Sequence, residues 1–183
     1  MHFLRLTDSR NAYFNEAMAL YAISFPHHEQ RQAASQRAIM SHPEYHFTVI
    51  LESEDFVGDI LWWETEDFCY VEHFCILPAL RGRRYGQQAL ELLAQRGKTV
   101  ILEIDPPVDK VSIRRRGFYQ RCGFVDNPFP HIHPPYHEGN HGHDLVVMSA
   151  PRALTESEYN AFKAYLDNTV MGSYQEKKPT VYE

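Results

Sequence analysis

Residues 69–97, CYVEHFCILPALRGRRYGQQALELLAQRG, constrain the chain most, because their hydrophobic period changes once and abruptly. Cys69 to Leu77 is a run of β-branched, aromatic and apolar types, too continuous for a strand with one wet face. Pro78 cannot extend a ladder, so the strand stops there. From Tyr85 the apolar positions Tyr85, Ala89, Leu92 and Leu93 fall on one face of a helix, and Gly97 is placed to end it.

Between strand and helix lies Arg81-Gly82-Arg83-Arg84-Tyr85-Gly86. The unpaired N–H groups of a first helical turn, with the positive end of the helix dipole, form an anion site. Three arginines with no acid among them add positive charge. Gly82 and Gly86 let backbone approach a ligand with no Cβ in the way. A pyrophosphate suits such a corner. Dinucleotide binding of the Rossmann type is disfavoured, because the turn lacks G-x-G-x-x-G.

That turn resembles the GNAT superfamily of acyl-CoA-dependent N-acetyltransferases, whose pattern reads Arg or Gln, two residues, Gly, one residue, then Gly or Ala. Arg81 and Gly86 match, and Arg84 stands at the middle glycine. A second block, Arg116-Gly117-Phe118-Tyr119-Gln120-Arg121-Cys122-Gly123-Phe124, is similar to the family's fourth helix and its ending. The two occur in the family's order, separated by a strand-like stretch from Thr99 to Asp105, and the likeness covers about residues 2–150.

The rest of the chain reads as follows. A strand covers His2 to Leu6; a helix runs from about Ser9 to Ser24, and a weaker one from Glu29 to about Met40. Tyr45 to Glu52 and Phe56 to Glu64 form a hairpin around Glu54-Asp55. A helix covers about Val111 to Cys122, and Asp144 to Ala150 is the last strand. The resulting order, β-α-α-β-β-β-α-β-α-β-β, implies an α/β (α+β) mixed sheet, the GNAT fold, with a parallel pair around the central helix. Residues 1–150 form the N-acetyltransferase domain. Beyond Pro151, Thr155 and Glu158 make a capping box with Leu154 and Tyr159 as a hydrophobic staple, and Tyr159, Phe162, Tyr165 and Leu166 make one apolar face. This C-terminal helix, in residues 151–183, packs on the same domain or on a second subunit, so a homodimer is one way of burying it. The tail from Met171 reads as polar and loose.

The resemblance implies acetyl-CoA as cosubstrate, with an acetyl group passing directly to a primary amine in a ternary complex. Strands around the cofactor splay in this family, and the groups pairing with pantetheine belong by position to Phe74, Cys75 and Ile76. The Ile76 amide is placed to polarise the acetyl carbonyl. The pyrophosphate falls to Arg81, Arg83, Arg84, Tyr85, Gly86 and Gln87. Tyr119 stands where many members carry the acid for the departing thiolate, and a phenol, with an ordinary pKa near 10, holds that proton at neutral pH. Glu72 stands at the position of a base or of a residue holding a catalytic water; its parity sets it on the face of Ile76, and His73 on the other. A buried Glu satisfied by an arginine is the structural alternative. Asp105 replaces an asparagine that contacts cofactor or water. Ser112 and Arg115 replace the asparagine and alanine that approach CoA in many members; Ser112 can still hydrogen-bond, and Arg115 can reach a phosphate.

Composition narrows the partners. A formal net charge of −6 over 183 residues argues against a nonspecific nucleic-acid binder and favours cationic acceptors such as amines. Cys69, Cys75 and Cys122 form no CxxC pair, and the first two share a face by parity but lie too far apart to bond. No apolar run approaches the roughly 20 residues of a membrane span, and the chain enters a strand directly, so a cytoplasmic protein off the membrane is expected. Trp62, Trp63, Glu64, Glu66 and Asp67 are candidate walls for an amine cation, with one tryptophan per face. His131, His133, His137, His141 and His143 crowd a proline- and glycine-bearing loop. That loop is expected to flank the acceptor mouth; no metal is expected, since no cysteine or clustered acid completes a site. Two other readings are an acyl-CoA-binding sensor of the same fold with weak catalysis, and a histidine-rich metal-handling protein.

Overall fold

The computed structural model describes residues 1–172. The expectation for the tail from residue 173 onward lies outside the described residues. The strands are β1 (His2–Leu6), β2 (Tyr45–Glu52), β3 (Asp55–Glu64), β4 (Phe68–Ile76), β5 (Thr99–Ile104), β6 (Val125–Asp126), β7 (Ile132–His133), β8 (His143–Asp144) and β9 (Val146–Ala150). The helices are α1 (Phe14–Ser24), α2 (Ala33–Ile39), α3 (Tyr85–Ala94), α4 (Lys110–Arg121) and α5 (Glu156–Tyr165).

Seven strands form one sheet in the order β1-β2-β3-β4-β5-β9-β6. Only β4 and β5 pair in parallel, across the crossover helix α3; the other neighbours are antiparallel. β2 and β3 are buried almost throughout because helices cover both faces. On one face, Phe14, Ala17, Leu20 and Tyr21 of α1 and Ile39 of α2 pack with Phe47, Leu61, Trp63 and Tyr70. On the other, Ala89, Leu90 and Leu93 of α3 meet Val71, Val100 and Leu102, with Phe118 and Tyr119 of α4 beside them.

The C-terminal helix belongs to this core. Phe162 and Leu166 are fully buried and join the first face, where Phe162 lies against Phe68 and Tyr70. Its capping box forms: the Thr155 hydroxyl accepts from the Glu158 amide, and the Glu158 carboxylate accepts from the Thr155 amide.

Three local expectations change. The first helix begins at Phe14, because Asp8 and Asn11 side chains accept from the amides of Arg10 and Tyr13 and hold the preceding residues in turns. The second is shortened to Ala33–Ile39 after a 3-10 turn at His27–Glu29. The histidine-bearing loop contains a small hairpin, β7 with β8, in which Ile132 pairs Asp144 and His133 pairs His143. Asp144 therefore leaves the last sheet strand, which starts at Val146.

Candidate active site

The parallel ladder between β4 and β5 runs from Phe68↔Thr99 to Val71↔Leu102 and stops, although β4 continues to Ile76 and β5 to Ile104. The strands part beyond Val71 and leave backbone groups of β4 facing a gap. The Leu77 amide donates to the Val57 carbonyl across β3, and Gly58 pairs Ile76 one step further in. Hydrogen bonding alternates along an antiparallel pair, so the Ile76 N–H and C=O point away from β3 into that gap. Arg81 Nε donates to the Ile76 carbonyl at 3.1 Å and leaves the amide available.

At the same point β4 is bulged. His73 pairs Leu61 and Val71 pairs Trp62, so Glu72 has no partner opposite it. The extra residue shifts side-chain parity, and two expectations are corrected. Glu72 faces the α1 side with Trp63, whereas Ile76 packs toward α3. His73 keeps the expected face opposite Ile76, edge-on to Tyr21 and Phe25, and so shares it with Glu72. Cys69 and Cys75 fall in the cores of opposite faces. Cys75 donates its thiol to Asp59 at 2.9 Å; that carboxyl is fully buried, and desolvation raises its pKa to about 7.

The arginine-bearing turn leads into α3 as expected. Gly82 has φ +80°, and Arg84 holds φ +66°, the left-handed conformation a glycine would adopt freely. Gln88 N–H closes the first helical bond on Arg84 O at 3.0 Å, and no side chain caps this end. The amides of Tyr85, Gly86 and Gln87 thus lack intrahelical partners. Arg81, Arg83 and Arg84 are exposed around them. A Cβ on Gly86 would lie 3.2 Å from Phe118 and 3.6 Å from Phe74, so the glycine lets α3 settle against α4 and β4. The Gln87 side chain is turned along the helix, donating to Glu91.

On α4, Tyr119 packs edge-on against Phe118 and Phe124, and burial raises its pKa to about 12. Ser112 is buried in a capping box with Asp109: its amide and hydroxyl both bond Asp109, so its hydroxyl is already engaged. The D-x-x-S spacing was the signal for this cap. Arg115 pairs with Asp105 at 2.5 Å and points into a cavity rather than toward the α3 corner.

That cavity, of about 710 Å³, opens beside the parted strands. Its walls are the end of α1 and the turn after it (Phe25, His28, Glu29), the ends of β4 and β5 (His73, Glu103, Asp105) and the β7–β8 hairpin with its loop (His133, Tyr136, His143). Glu72 also borders this cavity, but its side chain is sealed from solvent. Arg31 Nε stands 2.7 Å from its Oε1, Tyr136 donates to the same oxygen at 2.9 Å, and Trp63 Nε1 donates to the other at 2.8 Å. Burial raises its pKa but the Arg31 charge and these bonds outweigh that, and it lies below the ordinary carboxylate value. Glu103 is held by His131 and by Tyr70, which donates at 2.5 Å. His133 Nδ1 sits 2.6 Å from the Pro134 carbonyl, which assigns the hydrogen to Nδ1; Nε2 is 3.4 Å from the Tyr136 hydroxyl and 3.9 Å from Glu103.

The acceptor wall differs from expectation. Trp62 stacks on His46 in the opposite face, Trp63 is buried under Glu72, and Glu64 is tied to Arg96 and Lys98. Neither these nor Glu66 and Asp67 line the cavity. Arg31 and Tyr136 carried no sequence signal, since their meaning is the contact with Glu72.

The sequence profile described as the acetyltransferase (GNAT) family matches residues 10–124. Among solved structures, a protein of Bacteroides thetaiotaomicron assigned to the GNAT acetyltransferases is 30% identical, with TM-score 0.88 over 94% of this chain and 99% of that one. An aminoglycoside 6'-N-acetyltransferase complexed with coenzyme A shares the fold at 14% identity, TM-score 0.54, covering 81% of this chain and 96% of that one. The ribosomal-protein-S18-alanine N-acetyltransferase of Escherichia coli does so at 15% identity, TM-score 0.52, covering 84% and 95%. No curated protein matches the sequence. None of the described helices is long and apolar enough to cross a membrane. Parted strands, an uncapped arginine-lined helix start, and a profile match over more than half the chain agree: this chain belongs to the acetyltransferase (GNAT) family.

Proposed function

We propose that the protein transfers an acetyl group from acetyl-CoA to a primary amine bound in the cavity beside β4 and β5. The observation that carries this reading is the parting of β4 and β5, with an uncapped start of α3 following β4 in the chain and a cavity lined by the ends of both strands. A CoA-bound relative of the same fold supports the choice of cosubstrate.

The residues present fit that cosubstrate. Amides of Tyr85, Gly86 and Gln87 and the charges of Arg81, Arg83 and Arg84 would hold the pyrophosphate. Backbone groups of Phe74, Cys75 and Ile76 would pair with the pantetheine arm. Acetyl-CoA supplies an activated thioester. The Ile76 N–H is a fixed donor for a carbonyl oxygen in the gap. Tyr119 keeps its proton at neutral pH and can give it to a departing thiolate. Its hydroxyl makes no hydrogen bond among the described residues.

Glu72, expected as the base, is better suited to holding Tyr136 and Arg31 in place, because its oxygens are engaged and its charge is neutralised. Taking the proton from the acceptor falls to His133 Nε2, whose other nitrogen is committed to a carbonyl. Glu29 and Asp105 both line the cavity, and because Asp105 is paired with Arg115, Glu29 is the carboxylate left to favour a cationic acceptor. Ser112 plays no cofactor role in this reading, and Arg115 neutralises Asp105.

The test is acetyl-CoA consumption, read by thiol release, across a panel of amines. Turnover with some amines above the hydrolysis background supports the proposal. A thermal shift with CoA and no turnover on any amine would favour the sensor reading.

A further inference from the structure

The cavity mouth brings together residues that sequence separates widely. The 3-10 turn after α1 supplies His28 and Glu29, and β8 of the hairpin supplies His143. One ligand atom from each of these three lies within 4.8 Å of the others. His28 and His143 meet edge to face, with ring centroids 5.1 Å apart, and His28 Nε2 is 3.5 Å from Glu29 Oε1. The carboxylate that meets His143 therefore comes from another segment of the chain.

From this geometry we infer that His28, Glu29 and His143 form a site for a divalent transition-metal ion of the zinc class, which ties the hairpin to the turn after α1. Two imidazoles and one carboxylate are a donor set that zinc accepts, with further positions left open. Metal–ligand bonds of about 2.0–2.1 Å place ligand atoms about 3.3 Å apart in a tetrahedron. The three side chains must close by up to about 1.5 Å, and His28 and Glu29, at 51% and 32% side-chain exposure, have room to turn. Glu29 has no arginine or lysine ion pair among the described residues, its nearest basic group being His28 at 3.5 Å. A cation at this point would supply the counter-charge.

The neighbouring histidines set the scale of the effect. His137 Nε2 contacts the His27 carbonyl at 2.9 Å, and the His27 and His137 rings stack with centroids 4.5 Å apart. This contact already rests the hairpin loop on the turn, beside the proposed site. A metal bridge would convert that contact into a firm link across the acceptor mouth, with open coordination positions toward the cavity.

The experiment uses tag-free full-length protein stripped with chelator and titrated with Zn²⁺ in a calorimeter, without acetyl-CoA or acceptor, so its outcome is independent of the acetyl-transfer reading. The expected result is one saturable site of micromolar or tighter affinity and a Tm higher by about 5 °C at saturating metal. His143→Gln and Glu29→Gln should each weaken binding at least about tenfold, whereas His2→Gln on β1 should not. X-ray absorption of the zinc-loaded protein should show imidazole scattering from two histidines. Several weak sites, equal affinity in the His143 and Glu29 variants, or a metal shell without imidazole would each overturn the proposal.

Discussion

Arg31 and Glu72 form an ion pair at 2.7 Å with both side chains shut away from solvent. The pair stands behind Tyr136, one wall of the cavity, and beneath Trp63. Removing one partner from a buried pair costs far more than removing both, since the survivor keeps an uncompensated charge. Glu72→Gln is expected to lose about 3 kcal/mol of stability by urea unfolding, and Arg31→Met combined with Glu72→Gln is expected to recover part of it. Turnover per folded molecule of Glu72→Gln should stay within about tenfold of the parent. A loss of about three powers of ten with stability intact would restore the base role to Glu72.

Tyr119 offers a different readout. Tyr119→Phe keeps the ring that packs on Phe118 and Phe124 and removes only the hydroxyl. CoA affinity, followed by thermal shift, should hold, while kcat falls by roughly one to three powers of ten. Unchanged kcat across the pH range would remove Tyr119 from the acid role.

For His133 the measurement is kcat/KM beside CoA affinity. His133→Gln is expected to lower kcat/KM by roughly two powers of ten or more while the thermal shift with CoA holds, because the proton acceptor is gone. A variant that loses CoA affinity and stability together would indicate a structural contribution.

Arg84 sits at φ +66°, where a Cβ is unfavourable. Arg84→Gly should raise stability by about 0.5–1 kcal/mol in urea unfolding. The same change removes a positive charge beside the uncapped start of α3, so CoA binding should weaken a few-fold even as the fold gains.

Asp59 gives stability its own pH dependence. Its carboxyl is raised to about 7 in the fold from an ordinary 3.8, so the folded state prefers it protonated. That preference is fully present below about pH 4 and is lost as pH rises through about 7, where the buried carboxylate must ionise without a cation. Asp59→Asn is therefore expected to stabilise the protein above pH 7 by roughly 2–4 kcal/mol and to have little effect at pH 4. Equal effects at both values would mean that hydrogen bonding to Cys75, and not ionisation, dominates at this position.

Much of this architecture is written locally. The β4–α3 unit, the 45–64 hairpin and the capping box at Thr155 were legible because each depends on neighbours a few residues away. Parity through β4 is not legible in sequence for one reason: a bulge adds a residue to one strand only, and it shows only in the register against β3. Through that single insertion Glu72 parts from the face of Ile76 and Cys69 from that of Cys75. Ser112 likewise looked free for a ligand until Asp109 was seen to engage it.

By itself, then, the sequence determined the order of elements through α4, the arginine-bearing turn that opens α3, and the family, since periodicity, turn chemistry and helix starts are short-range properties. Tertiary structure alone decided the cavity's walls. Arg31 reaching Glu72, His133 facing Glu103, and His143 meeting His28 and Glu29 are contacts between distant segments. Their existence depends on how the hairpin closes over the parted strands, which no local pattern encodes.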